Sequence, residues 1–200
     1  MGAEHMKKIG IIDADLMDHG TRHPNLALMK IAGYYRDKGY EVTLIFKSYD
    51  EVKNYDQLFM GCVFNFTRVP EWVMQLPNIK YGGTGFFDDG GENLAEDIEH
   101  HKPYYDLYLP YVKHEIANGK KEGHFSDYVD YSIGFTTRGC FRKCSFCVNK
   151  KYDQAFLHSP VEEFLNADKP YIYLWDDNIL AYSQWEKVLD DLEATGKPFQ

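Results

Sequence analysis

Short apolar runs separated by polar or amphipathic segments make up the first 87 residues. Three runs predict buried strands: KKIGIID at 7–13, EVTLIF at 41–46 and LFMGCVF at 58–64. Between the first two, one apolar helix face is predicted by the i, i+3, i+4, i+7 spacing of Leu28, Ile31, Ala32 and Tyr35. A strand, a helix and a strand in this order predict a parallel βαβ unit.

Two further elements extend the predicted sheet. Residues 69–76 predict a short helix, and IKYGGTGFF at 79–87 predicts a fourth strand that runs into a glycine-rich turn. We therefore expect an α/β fold, with a small Rossmann or flavodoxin-like domain over residues 1–87. From 88 to 130 the pattern weakens into an acidic segment and a tyrosine-rich segment, so we expect a connector there.

A second alternation of strands and helices begins at residue 131. YSIGF at 131–135 and YIYLW at 171–175 predict strands. A helix between them is predicted by Ser159 as N-cap, Pro160 at the first position and Glu162 completing a capping box. A second helix is predicted by the spacing of Trp185, Val188, Leu189 and Leu192. Residues 131–200 therefore predict two βα units, with a third strand beginning near Phe199.

The composition narrows the classes of function. The chain has 200 residues and a formal net charge of −9. This charge argues against general nucleic-acid binding, because neutralising phosphates needs a basic surface. No apolar run approaches the roughly 18 residues of a membrane span, and the N-terminus lacks the layout of a secretory signal. We therefore expect a cytoplasmic protein with no membrane partner.

Three of the four cysteines lie within eight residues. GFTTRGCFRKCSFCVNKK at 134–151 gives Cys140, Cys144 and Cys147 the spacing CxxxCxxC, so one short loop can turn three sulfurs toward a common centre. Between Arg138 and Lys151 there are five basic residues and no acidic one. Positive neighbours lower thiol pKa values and favour thiolate ligation. The loop is therefore a candidate metal site.

Three thiolates leave one position of a metal centre open. Structural zinc sites and electron-transfer iron–sulfur clusters usually have four protein ligands. His158, eleven residues after Cys147, is a candidate fourth ligand for a zinc site. Otherwise the open position belongs to a ligand from outside the chain, or the loop is only a charged surface loop. Cys62 lies in an apolar run, so we expect a buried core residue there.

The loop resembles the signature of the radical S-adenosylmethionine superfamily, CxxxCxΦC with an aromatic residue at Φ. The matching residues are Cys140, Cys144, Phe146 and Cys147. The resemblance implies that the cysteines bind a 4Fe–4S cluster whose fourth iron is chelated by S-adenosylmethionine, which is cleaved to a 5′-deoxyadenosyl radical. It also implies that Phe146 packs beside the adenine, and that residues 131–200 form the first two βα units of a partial (β/α)6 barrel.

The second strand of this region ends in WDDNIL, which places Asp176, Asp177 and Asn178 at its carboxyl end. Ligands commonly bind at the carboxyl ends of parallel strands. The family resemblance implies that this strand end holds the methionine amino group, although the glycine-rich GGE form common in the family is absent. Alternatively, Asp176 and Asn178 cap the following turn or helix.

The N-terminal half is similar to the cobalamin-binding-like domains that precede many radical S-adenosylmethionine barrels. A cobalamin-binding motif DxHxxG is missing, because Asp18, His19 and Gly20 are contiguous. The glycines at 82, 83 and 85 do not form the GxGxxG fingerprint, so a plain tight turn is favoured over a phosphate cradle. Cobalamin binding therefore remains open, without a ligand motif to support it.

The length limits what this chain is expected to do. A six-unit barrel needs about 150 to 200 residues, and 70 residues run from Tyr131 to Gln200. We therefore expect a fragment of a larger radical enzyme, acting on an unknown substrate and reduced by a flavodoxin or ferredoxin that docks on the basic loop. The alternative is a noncatalytic zinc-binding or partner-binding module that keeps the three-cysteine loop.

Overall fold

The structure, a computed structural model, describes residues 7–200 and has a mixed α/β architecture, as expected. Residues 1–6 of the predicted first domain lie outside the described residues. The chain divides into two compact units, the first ending at Tyr128 and the second running from Val129 to Gln200. No helix within residues 7–200 has the length and apolar character needed to cross a membrane. Each unit is described separately below.

The first unit is built on a four-stranded parallel sheet. Its strands are β1 (Lys8–Asp13), β2 (Glu41–Ile45), β3 (Gln57–Gly61) and β4 (Ile79–Gly82), in the order β2-β1-β3-β4. All three pairings are parallel. The central strand β1 is buried on both faces, which explains why its sequence is a continuous apolar run rather than an alternating one.

Helices connect and cover these strands. They are α1 (Ala14–Asp18), α2 (Leu26–Asp37), α3 (Glu71–Met74), α4 (Glu96–Glu99), α5 (Leu109–Ala117) and α6 (Ser126–Val129). The predicted helix between the first two strands is confirmed as α2. Asn25 caps it by accepting a hydrogen bond from the Leu28 amide, and Gly39 follows it with a left-handed φ of 82°. The predicted helix over 69–76 is confirmed as the single turn α3.

Residues 105–128, which the sequence assigns to a connector, belong to the first unit. Tyr105, Leu107, Tyr108 and Val112 are buried. The Tyr108 hydroxyl donates to Asp13 Oδ2 at 2.8 Å and accepts from the Asn25 amide at 3.0 Å. A tyrosine can be buried in this way because its hydroxyl has partners, and this segment therefore forms part of the core.

The second unit holds two short pairs of strands. Strand β5 (Tyr131–Gly134) is parallel to β8 (Tyr171–Leu174), and β6 (Thr137–Arg138) is antiparallel to β7 (Phe156–Leu157). Helix α7 (Trp185–Ala194) packs on β8 through a cluster that contains Ile172, Val188 and Leu192. Phe199 forms a parallel bridge to Ile172, so the expected third strand begins where the pattern predicts it.

One predicted helix of the second unit is wrong. The segment after Ser159 forms only a 3-10 turn, Val161–Glu163, with Pro160 in the N-cap position and no side-chain capping bond. The amides of His158 and Ser159 both point to the carbonyl oxygen of Thr136, at 2.8 and 3.4 Å. The segment is thus held as a continuation of the β6–β7 ladder, and few residues remain before the turn at Asn166.

Candidate functional site

The cysteine loop leaves the carboxyl end of β5 and returns at β7. The two-residue ladder between β6 and β7 pairs Thr137 with Leu157 and Arg138 with Phe156. This ladder joins the start and the end of the loop, so residues 139–155 are closed at their base. A loop of irregular backbone is thereby fixed to the sheet although it contains little regular structure of its own.

Gly139 permits the tight base of the loop. Its φ is 86°, and a Cβ atom added there would lie 2.4 Å from the Gln154 carbonyl oxygen and 3.1 Å from the Tyr152 side chain. Both the positive φ and the backbone contact exclude a larger residue. The residue next to the first cysteine is therefore fixed by the close approach of the two ends of the loop.

Asp176 holds the segment that leads into the loop. Its carboxylate accepts the Thr136 amide at 3.0 Å and the Thr137 amide, together with the hydroxyls of Thr136 at 2.8 Å and Thr137 at 2.6 Å. Both threonines are buried. A carboxylate that receives four donors is strongly bound, so Asp176 couples the end of β8 to the start of the cysteine loop.

The next two residues of the predicted triplet contact the cysteine loop itself. Asp177 accepts the Gly139 amide at 2.8 Å and the side-chain amide of Asn149 at 2.5 Å. Asn178 donates its side-chain amide to Cys140 Sγ at 3.6 Å. The 3-10 turn that follows, Ile179–Ala181, has no capping bond from a side chain. Asp177 and Asn178 therefore contact the cysteine loop, and neither of them caps the turn that follows.

The three thiols of the loop are free and partly exposed. The pKa of Cys140 is lowered, first by the backbone N–H of Arg142 and then by the Asn178 amide. Cys147 Sγ accepts the Asn149 amide at 3.4 Å, and the Cys147 amide donates to the Cys144 carbonyl at 3.0 Å. The N–H groups directed at Cys140 therefore favour the thiolate form that metals bind.

The described residues, 7–200, contain no group of three Cys, His, Asp or Glu side chains already gathered to hold a metal ion. The cysteines are thus close in sequence and share one loop, but their thiols do not converge in this conformation. His158, the candidate fourth zinc ligand, has its Nδ1 2.9 Å from the Ser159 hydroxyl.

The loop exposes large apolar side chains. Phe146 is 89% exposed, Val148 54% and Phe141 57%. Lys143 adopts a positive φ of 48°, and its ammonium group bonds the Lys150 carbonyl at 2.7 Å and Asp153 at 2.6 Å. An exposed aromatic side chain beside a thiol loop leaves apolar area available to a ligand.

Cys62 lies outside the cysteine loop, as the sequence predicts. It is 1% exposed within the core of the first unit, and burial raises the pKa of its thiol to about 11. A Cβ atom on Gly83 would lie 2.2 Å from the Cys62 carbonyl oxygen, and one on Gly85 would lie 2.3 Å from its sulfur. These glycines therefore allow close packing in a tight turn.

Three polar residues that support the loop were not predicted from the sequence: Thr136, Thr137 and Asn149. The two threonines precede the first cysteine within the segment FTTRGC, and Asn149 follows the last cysteine within CVNK. Their position next to the motif is the only signal in the sequence. Their partners lie 28 to 40 residues away, so the contacts follow from the pairing of β5 with β8.

Comparison of the chain with protein-family models, characterised proteins and solved structures finds no match. The class of protein is therefore argued below from the residues and geometry of the cysteine loop.

Proposed function

We propose that this chain is a radical S-adenosylmethionine protein, or part of one, in which Cys140, Cys144 and Cys147 hold a 4Fe–4S cluster. The single observation that carries the proposal is a loop with three thiols whose base is fixed by residues at the carboxyl end of the adjacent parallel strand. A set of three thiolates on one loop leaves an iron position for a ligand from outside the chain. S-adenosylmethionine is the ligand that we propose.

The thiols of the cysteine loop and the N–H groups around them fit a 4Fe–4S cluster in their chemistry. The sulfurs of Cys140 and Cys147 receive N–H donors, and hydrogen bonds to cluster sulfurs are among the factors that tune such sites. Binding then requires the three thiols to converge, because they are not gathered around one point in this structure. When bound, the cluster supplies one electron and S-adenosylmethionine supplies the 5′-deoxyadenosyl radical, which together constitute the hard chemistry of the site.

In this proposal, the side chains around the loop bind the cofactor and hold the loop in position. Phe146 offers its exposed ring to the adenine, while Asp176 and Asp177 keep the loop at the carboxyl end of β8. Asn178 donates to Cys140 Sγ, so its side-chain amide would lie beside a cluster held by that cysteine. Binding of the methionine amino group by this strand end remains a prediction, and Asp177 and Asn178 are better candidates than Asp176, which already has four donors.

The order of the strands supports the proposal. In the second unit, β5, the cysteine loop, β8 and α7 follow one another as in a partial barrel, except that a single 3-10 turn replaces the helix expected before β8, and Phe199 bridges to Ile172 in the parallel direction. In the first unit, the order β2-β1-β3-β4 is that of a flavodoxin-like sheet, in keeping with a cobalamin-binding-like domain. Cobalamin binding is not part of this proposal, because no ligand motif in the sequence supports it.

Iron analysis tests the proposed cluster site. After anaerobic reconstitution with iron and sulfide, we expect about four iron and four sulfide per chain and brown absorbance, as in other cysteine-bound clusters. Replacing any one of Cys140, Cys144 and Cys147 by Ala should abolish most of this content. Cys62→Ala is the matched control and should retain it. Stoichiometric zinc with no iron uptake would contradict the proposal and support the zinc-binding module.

A further inference from the structure

Asn149 follows the last cysteine of the loop by two residues and bonds to it through its backbone. The Asn149 amide donates to Cys147 Sγ at 3.4 Å, and Cys147 occupies the N-cap position of the 3-10 turn Val148–Lys151. Donor and acceptor therefore belong to one turn. When the three thiols converge, this turn can move as a unit, so the N–H group stays directed at the Cys147 sulfur.

The side chain of Asn149 joins this turn to the segment that follows β8. Its Nδ2 donates to Asp177 Oδ1 at 2.5 Å, and Asp177 Oδ2 accepts the Gly139 amide at 2.8 Å. Gly139 directly precedes Cys140, and Asn149 closely follows Cys147. One carboxylate therefore holds both ends of the three-cysteine segment, with one oxygen for each end.

The burial of Asn149 sets it apart from its neighbours in the turn. Asn149 is partly buried, whereas Val148 and Lys150 on either side of it are exposed. Fixing a short surface turn costs conformational entropy, and a hydrogen bond to a carboxylate is strong enough to offset part of that cost. Lys143 also bonds this turn, at the Lys150 carbonyl, but Lys143 lies within the same loop. Asn149 thus ties the turn to the sheet, whereas Lys143 ties it to the loop itself.

We propose that Asn149 is a positioning residue for the cluster, acting through Cys147. This inference rests on the function proposed above. An N–H group directed at a sulfur ligand stabilises the reduced cluster more than the oxidised one, because the reduced cluster carries one more negative charge. The bond from the Asn149 side chain to Asp177 keeps the turn and its N–H group in place. It therefore raises the reduction potential of the cluster and slows the loss of iron.

Redox titration of the reconstituted full chain, followed by electron paramagnetic resonance, tests this role. Asn149→Ala removes the side-chain bond to Asp177 and keeps the backbone N–H group. We expect a more negative reduction potential than in the parent. We also expect iron loss to a chelator to be about tenfold faster, since outer partners of metal ligands commonly contribute about 10- to 100-fold in affinity. Asn149→Gln keeps a side-chain amide and should recover part of both effects.

Asp177→Ala tests whether Asn149 acts through the carboxylate. Once Asp177 is replaced, the Asn149 side chain has lost its partner. Adding Asn149→Ala to Asp177→Ala should therefore change the potential and the rate of iron loss much less than Asn149→Ala does alone. Fully additive effects of the two substitutions would contradict the proposed path. If Asp177→Ala does not hold iron, the comparison of Asn149→Ala with Asn149→Gln decides the question.

Ser145→Ala is the matched control. Ser145 lies in the same loop, is exposed, and makes no side-chain hydrogen bond within residues 7–200. Its replacement should leave the potential and the rate of iron loss at the parent's values. The inference is overturned if Asn149→Ala and Ser145→Ala behave alike. It is also overturned if Asn149→Ala lowers only the thermal stability of the second unit, because that result would show a purely structural role.

The parent chain separates this inference from the function on which it rests. A parent that takes up no iron would overturn both the proposed function and the role of Asn149. A parent that holds a cluster, together with an Asn149→Ala variant of the same potential and the same rate of iron loss, would overturn the role of Asn149 alone.

Discussion

Asp13 should make the first unit less stable at neutral pH than at acidic pH. Its side chain is 2% exposed at the end of β1, and burial raises the pKa of its carboxyl from 3.8 to about 6, partly opposed by the hydrogen bond from Tyr108. The folded state therefore binds the proton more tightly than the unfolded state does. The free energy of unfolding is highest below pH 3.8 for this group and falls as the pH rises to about 6.

The size of this loss of stability follows from the shift in the pKa of Asp13. A difference of about two pKa units corresponds to about 3 kcal/mol of unfolding free energy lost by pH 7. Asp13→Asn removes the ionisation and keeps a side chain that can cap α1. A poorer hydrogen bond with Tyr108 offsets about 1 kcal/mol of this gain in unfolding free energy. We therefore expect Asp13→Asn to raise the unfolding free energy of the first unit by about 1 to 2 kcal/mol at pH 7.

Urea unfolding at a series of pH values between about 4 and 7 measures this. Trp72 reports on the first unit when Trp175 and Trp185 of the second unit are both replaced by Phe. Asp13→Asn should flatten the fall of stability with pH seen in the parent. Tyr108→Phe should steepen it, because it removes a hydrogen bond that stabilises the ionised carboxylate. Equal pH slopes in the parent and Asp13→Asn would refute the reasoning.

Three further predictions concern the cysteine loop. Asp176→Asn should lower iron retention after reconstitution several-fold, because buried amide and hydroxyl donors lose a charged acceptor; iron per chain equal to the parent's would contradict this. Gly139→Ala should reduce the thermal stability of the second unit by about 1 to 3 kcal/mol through strain at a positive φ, measured by calorimetry, and an unchanged transition would count against the tight loop base. Reversing the charge of Lys150 and Lys151 should slow reduction by a flavodoxin but not by dithionite, and equal slowing with both reductants would exclude docking at this loop.

The regular elements of the fold could be predicted because their signals are local. Helix α2 and strands β1 to β4 follow from apolar runs and helix spacing within 90 residues, and the beginning of a third strand at Phe199 follows from the same alternation. Parallel pairing then follows from the order of strands and helices. None of these inferences needed information from distant parts of the chain.

The segment assigned to a connector shows where this reasoning fails. Tyr108 and its neighbours are core residues, yet a run of tyrosines with a proline carries no clear helix or strand period. Its burial depends on two hydrogen bonds of its hydroxyl, which donates to Asp13 and accepts from the Asn25 amide, 95 and 83 residues away in the sequence. The helix predicted from Ser159 also failed for a non-local reason. The amides of His158 and Ser159 bond to Thr136 and extend the strand pairing up to the expected N-cap, and only a 3-10 turn follows.

The candidate site was predicted in its residues but not in their contacts. The cysteine spacing identifies the loop, and the polar run after YIYLW places Asp176, Asp177 and Asn178 at a strand end. That all three reach back to the loop depends on the pairing of β5 with β8.

The proposed function depends most directly on whether the bound cluster contacts S-adenosylmethionine. Electron paramagnetic resonance of the reconstituted, dithionite-reduced chain measures this with and without the cofactor. We expect the signal of a reduced 4Fe–4S cluster, shifted when S-adenosylmethionine is added and absent when Cys144 is replaced by Ala. A cluster signal that does not change on adding the cofactor, or no cluster signal at all, would contradict the proposal.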